Sequence, residues 1–166
     1  LSLRFSGACC SSLRATMAKK ERPKAIDIRY SAMNYLARRE HSRLELIKKL
    51  RKRFPDDIAL LEPEVQKLVD DKLQSDRRFA ESYIRHRANS GFGLARIKLE
   101  LKERGVTSTD IELALDEEPI DWSALTKTVC VKKFGQLPPL DINEKAKRVR
   151  YMQYRGFGPD EYLSLV

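Results

Sequence analysis

Few residues in this chain are of the kinds that do covalent or metal chemistry, and their spacing argues against it. The three cysteines are the adjacent pair Cys9 and Cys10 and the solitary Cys130, a pattern that suits neither a tetrahedral zinc site nor a disulfide framework. The two histidines, His41 and His86, each sit among arginines and read as surface residues rather than general bases. Gly91 and Gly93 lack the third glycine and the preceding strand of a dinucleotide loop, and neither a phosphate-loop run nor an HExxH run occurs. They read as a flexible link between helices, and Cys130 as a small packed side chain. Phe92, Phe134 and Phe157 stand beside helix breaks, where they suit packing between units or stacking on unpaired bases. The sequence thus predicts no catalytic residue, no metal site and no cofactor.

Charge is the chemistry that remains. The 166 residues carry 33 Lys+Arg against 24 Asp+Glu, a net charge of +9, which points to a polyanionic partner. The charge is segmented. Residues 18–54 hold 13 basic and 4 acidic residues, 55–76 hold 2 and 7, and 77–106 hold 8 and 3. Residues 107–126 hold 0 and 6, and 127–155 return to 8 and 2. A charge run can be a plain solvated face, but alternation in register also suits a long polyanion or a filament with an acidic groove. No apolar run is long enough to cross a bilayer, and the cysteine usage suits a reducing, cytoplasmic setting.

The elements that must carry these charges read as helices almost throughout. Ala32, Tyr35 and Leu36 set the first, and Ser42-Arg43-Leu44-Glu45 forms a capping box before Leu46, Ile47 and Leu50. Pro55 ends that helix, Pro63 stands where a helix start tolerates proline, and Val65, Leu68, Val69 and Leu73 follow. Asp76 reads as the cap of a helix bearing Phe79, Ala80, Tyr83 and Ile84. Leu94, Ile97 and Leu101 line the next, with Gly105 as a left-handed cap. Ile111, Ala114 and Leu115 lie beyond the Thr107–Asp110 cap. Then come Trp122, Leu125 and Val129, a stripe of Ala146, Val149 and Met152, and a short helix opened by Gly158-Pro159-Asp160.

The segments Leu50–Phe54, Leu101–Gly105 and Met152–Gly156 are spaced 51 residues apart, twice. The fold class is therefore all-α, with three tandem three-helix repeats in an elongated, curved array. Residues 25–75, 76–119 and 120–166 form the repeats. Residues 1–24 read as a disordered basic leader, 1–16 of it an upstream extension before a natural start at Met17.

Several stretches, in order, resemble the RecX family of bacterial recombination regulators. They are Ala32-x-x-Tyr35-Leu36-Ala37-Arg38-Arg39-Glu40-His41-Ser42-Arg43-x-Glu45-Leu46, Asp76-Arg77-Arg78-Phe79-Ala80-Glu81-Ser82-Tyr83, and Gly91-Phe92-Gly93 after Arg87. Glu100-Leu101, Glu103-Arg104-Gly105-Val106, Ile120-Asp121-Trp122, Lys133-Phe134-Gly135 and Tyr154-Arg155-Gly156-Phe157 complete the set, over roughly residues 28–166. Phe54 stands where the family favours glycine, Pro55–Glu62 reads as a long connection, and Leu73–Asp76 lacks the glycine expected before the second unit. The resemblance implies a non-enzymatic monomer that binds the RecA recombinase and its filament on single-stranded DNA. It implies inhibition of filament growth, ATP hydrolysis, strand exchange and co-proteolysis, with weak direct DNA binding in some members. A helix-turn-helix DNA-binding protein is the alternative.

The candidate contact residues follow from the basic segments. They are Arg38, Arg39, Arg43, Lys48 and Lys49 in the first unit, and Arg85, Arg87, Arg96, Lys98 and Arg104 in the second. Lys147, Arg148, Arg150 and Arg155 supply the third. Arg104, three residues past Leu101, is expected to face solvent.

Overall fold

The computed structural model describes residues 24–165, so the leader up to residue 23, with Cys9, Cys10 and Met17, lies outside the described residues. Among the described residues there are nine α-helices and no strand. The first unit contains α1 (Lys24–Leu36), α2 (Arg43–Arg53) and α3 (Ile58–Asp70). The second contains α4 (Asp76–Asn89), α5 (Leu94–Glu103) and α6 (Ser108–Glu117). The third contains α7 (Trp122–Phe134), α8 (Ile142–Arg155) and the short α9 (Pro159–Tyr162), closed by a 3-10 turn at Leu163–Leu165.

Each unit has its own core, as stacked repeats require. Ile28, Leu46, Leu50, Leu61, Val65 and Leu68 fill the first. Phe79, Ile84, Ile97, Leu101 and Ile111 fill the second. Val129, Cys130, Met152, Phe157 and Tyr162 fill the third. The repeat-equivalent residues Leu50, Leu101 and Met152 are each 0% exposed, so the 51-residue spacing marks one structural position.

Helix ends follow the sequence closely in most places. The hydroxyls of Ser42, Ser75 and Thr107 and the carboxylates of Asp121 and Asp141 accept bonds from the first turns of α2, α4, α6, α7 and α8. After α5 and α8 the chain turns left-handed at Gly105 (φ 79°) and Gly156 (φ 86°). In each case the two residues at the turn donate back to the carbonyls of the last helical turn.

Four expectations are corrected. The third helix begins at Ile58, so Pro63 sits inside it and the connection after α2 is short. Starting there buries Leu61 to 1% exposure beside Val65 and Leu68, a gain of about 1.5–3 kcal/mol that offsets a proline's cost inside a helix. The cap of α4 is Ser75 rather than Asp76. The carboxylate of Asp76 instead accepts the Arg43 N–H at 2.8 Å and the Gln74 amide at 2.8 Å, satisfying the first turn of α2 from the next unit. Finally, Ala146 is exposed and Arg148 buried, so polar Arg148 occupies the inward position of α8.

The glycine missing after α3 has a substitute. Lys72 takes the left-handed conformation (φ 59°), with Lys72 N–H donating to Val69 and Leu73 N–H to Leu68, both at 2.9 Å. A side chain with a Cβ costs about 1–2 kcal/mol there, and glycine's larger unfolded-state entropy returns only part of the difference. Lys72→Gly is therefore expected to raise stability by about 0.5–1 kcal/mol in denaturant unfolding.

Candidate functional site

The second helices of the three units meet end to end. At the first joint the Ser42 hydroxyl, which caps α2, donates to the Arg104 carbonyl at the end of α5 (2.8 Å). At the second, Gly93 N–H donates to the Arg155 carbonyl (2.9 Å) and Ala95 N–H to the Gly156 carbonyl (3.1 Å) at the end of α8. Ser42 and Gly93 are repeat equivalents, as are Arg104 and Arg155. At the second joint orphan backbone donors of one helix thus meet acceptors at the end of the next, and at the first a side-chain hydroxyl takes that part. Each joint sets a helix start against a helix end.

The second joint explains the glycine pair, which is no flexible link. Gly91 holds φ 76°. Gly93 has ordinary dihedrals, but a Cβ there would lie 2.3 Å from the Gly156 carbonyl oxygen. Gly156 in turn lies against Arg96, whose Cβ would stand 2.4 Å from any Cβ added to it.

Two carboxylates hold the joints. Glu45 accepts from His41 Nδ1 (3.2 Å) and pairs with Arg39 (3.2 Å) and, across the joint, with Arg104 (3.2 Å). The expected capping box is therefore half formed: Ser42 caps the Glu45 N–H, while the Glu45 carboxylate turns to the joint. His41 is only 1% exposed, contrary to the surface reading. Burial, with the Arg39 and Lys49 charges, holds its imidazole below the ordinary value against the bond to Glu45. The neutral ring donates from Nδ1, leaving Nε2 to accept from Lys49 Nζ at 3.3 Å. Burial opposes ionisation of Glu45, but bonding to His41 and the neighbouring cations outweigh it and hold the carboxyl below its usual range.

Glu100 does the corresponding work in the second unit. It accepts from the Tyr83 hydroxyl (2.6 Å), Arg87 (2.8 and 2.5 Å) and Arg96 (3.1 Å). Burial pushes its pKa up, but those three donors bring it down to about 2. Burial and the adjacent carboxylate push the Tyr83 phenol up to about 12. Arg96 continues to the Tyr154 carbonyl at 3.0 Å, and Arg104 donates to the Glu100 carbonyl at 2.9 Å. One chain of charge-assisted bonds therefore runs through all three units. Aromatic faces complete it: Arg87 lies 3.6 Å from the Phe92 centroid, Arg155 4.7 Å from the same ring, and Arg104 4.6 Å from Tyr83.

The sequence-derived cations divide accordingly. Arg39, Lys49, Arg87, Arg96, Arg104 and Arg155 are engaged within the joints, so Arg104 does not simply face solvent. Arg85 pairs with Glu118. Arg148, 2% exposed, bonds Glu144 (2.6 Å) and the Leu137 carbonyl (2.9 Å). Arg38, Arg43, Lys48, Lys98 and Arg150 have no side-chain partner among the described residues, whereas Lys147 interacts with the Glu144 carboxylate. Sequence reasoning passed over Arg51, Lys52 and Lys102, which are exposed and equally unpaired. Arg51 and Lys102 are repeat equivalents, and that register was the signal available for finding them. Lys48, Arg51, Lys52 and Arg150 lie across their helices from Leu46, Leu50 and Met152.

The acidic third helices and their ends are partly neutralised by the first helices. Arg29 pairs with Asp71 (2.7 Å) and Lys24 with Asp57 (3.1 Å) in the first unit. Arg77 pairs with Glu117 (2.7 Å) in the second. What the segmentation leaves over is mainly positive charge on the second helices, with Glu62, Glu112 and Asp116 left over on the third.

Two outcomes are expected. Gly93→Ala should force the second joint apart, costing about 1–3 kcal/mol as an overpacking change, with the third unit melting first in calorimetry. Glu100, whose pKa is depressed from 4.5 to about 2, contributes stability that is present above its ordinary value and lost as pH falls toward 2. Glu100→Gln should cost about 1–3 kcal/mol at neutral pH and flatten the stability profile across that acid window.

Comparison with known proteins agrees with this architecture. Family models for the first, second and third three-helix domains of RecX match residues 29–60, 75–115 and 124–161. Regulatory protein RecX of Pseudomonas putida (strain KT2440) is 44% identical over 135 residues, covering 81% of this chain and 86% of that protein. The protein of the same name from Pseudomonas fluorescens (strain SBW25) is 42% identical over 132 residues, covering 80% and 84%. The crystal structure of RecX from Lactobacillus salivarius superposes with a TM-score of 0.66 at 26% identity, covering 82% of this chain and 90% of that one. A second crystal structure of regulatory protein RecX, at 22% identity, shares the fold with a TM-score of 0.73, covering 86% and 72%. With three three-helix units in order and this identity across most of its length, the chain belongs to the RecX family of regulatory proteins.

Proposed function

We propose that this protein is a non-enzymatic, monomeric and cytoplasmic modulator of the RecA recombinase, the partner its family resemblance implies. It binds the recombinase filament on single-stranded DNA and restrains filament growth, ATP hydrolysis, strand exchange and co-proteolysis. The observation that carries this reading is the line of second helices, joined end to end and bearing the cations that no internal carboxylate neutralises. Such a line suits a repeating acidic surface, where each contact is multiplied by the others. Weak direct binding to DNA phosphates follows from the same charges.

The joints argue against the helix-turn-helix alternative. A recognition helix reads bases from its first turn, yet the starts of α2 and α5 are covered by the ends of α5 and α8. The third helices α3 and α6 are acidic and face the cations of their own units.

In an ATPase titration on single-stranded DNA, inhibition is expected well below one molecule per recombinase protomer. Inhibition only at or above equimolar protein, through capture of bare DNA, would count against the proposal. Lys48→Gln, Lys98→Gln and Arg150→Gln combined should weaken filament binding at least about tenfold and flatten its salt dependence. The melting temperature should stay nearly unchanged, because exposed charges contribute about 0–1 kcal/mol to the fold. Glu112→Gln with Asp116→Asn should do much less.

A further inference from the structure

We propose that the cleft between the second and third units binds an acidic peptide segment carrying apolar side chains. The cleft has a volume of about 390 Å³. Leu125, Val129 and Tyr151 give it an apolar lining, Lys132, Lys133 and Arg155 a cationic one, and none of its lining residues is Asp or Glu. Neither lysine has a carboxylate partner among the described residues. Arg155 spends one nitrogen on the Ser90 and Gly91 carbonyls, which leaves donors of its guanidinium uncommitted. Lys132 and Lys133 complement the C-terminal dipole of α7, but a dipole end carries only about half a charge and does not neutralise three cations.

The first joint holds an equivalent cleft of about 420 Å³, and the contrast identifies the ligand. There Arg104 takes the place of Arg155, and Glu40 and Glu45 are among the lining residues. Those carboxylates take up Arg78, Arg39 and Arg104, so that cleft is neutralised from within. The residues 51 positions after Glu40 and Glu45 are Gly91 and Arg96. The second cleft thus lacks both acids of the first. A carboxylate supplied by another chain restores the missing pair, and apolar neighbours of that carboxylate match the lining.

A nucleic-acid strand fits less well. Stacking a base needs an open aromatic face, and Tyr151 already has Arg155 5.2 Å and Lys133 5.8 Å from its centroid, with Phe134 edge-on at 5.3 Å. Phosphate tracking favours a cationic groove along the backbone rather than a half-enclosed apolar pocket.

The test is fluorescence anisotropy of a short labelled peptide alternating aspartate with leucine, titrated with the full chain. The acidic peptide is expected to bind, its counterpart with asparagine for aspartate at least about tenfold more weakly, and an oligothymidylate not to displace it. Lys132→Gln with Lys133→Gln should lower acidic-peptide affinity at least about tenfold, whereas Arg39→Gln at the first cleft should leave it unchanged. Equal binding of the asparagine peptide, wild-type binding by the double variant, or displacement by the oligonucleotide would overturn the proposal. Should the double variant melt early, backbone resonances of the wild-type chain decide instead. Peptide-induced shifts at Gly91 and Thr128 support the cleft, and shifts confined to α2 or α3 contradict it.

Discussion

The end-on junction of α2, α5 and α8 is the constraint on which the array depends. A helix end leaves about four backbone groups without partners, and in most proteins side chains or water satisfy them. Here α5 starts at Gly93, which has no side chain to cap with, and the carbonyls at the end of α8 do that work. Such an approach of backbone to backbone demands glycine at 93 and 156. It also fixes the axis of each unit to the next. The arginines near the joints are recruited by the same closeness, since Glu45 and Glu100 are partly buried there and ionised carboxylates so placed require donors.

Charge follows from this geometry. First and third helices pack within a unit and neutralise one another through pairs such as Arg29 with Asp71 and Arg77 with Glu117. On the outer side of the second helices Glu103 is an exposed acid, but no carboxylate pairs with Lys48, Arg51, Lys52, Lys102 or Arg150 among the described residues. The alternation visible along the chain is therefore a mixture. Part of it is internal complementarity, and only the remainder is available to the partner proposed above. That remainder recurs in each unit, as the proposed contact with a repeating filament requires.

Much of the fold was legible because it depends on local grammar. The caps at Ser42 and Thr107, the left-handed turns at Gly105 and Gly156, and the equivalence of Leu50, Leu101 and Met152 are all properties of short spacings. The site was less legible, because tertiary partners decide it. An arginine bound for a carboxylate in the next unit, as Arg104 is for Glu45, looks in sequence like any solvated arginine. His41 reads as exposed until Tyr35, Glu45 and Lys49 are seen around it. Asp76 reads as a local cap, and its real acceptor role is for Arg43 in the preceding unit. Gly93 needs space rather than an unusual dihedral, so nothing short of the packed joint reveals its reason.

The central claim is that the joined second helices present one cationic line to the recombinase filament. Electron cryomicroscopy of the protein on a recombinase filament assembled on single-stranded DNA tests it most directly. The account predicts density for all three units lying along the filament, with Lys48, Lys102 and Arg150 directed at the recombinase or its DNA and α3 and α6 turned away. Contact made through α3 and α6, or through a single unit with the other two free of the filament, would contradict it.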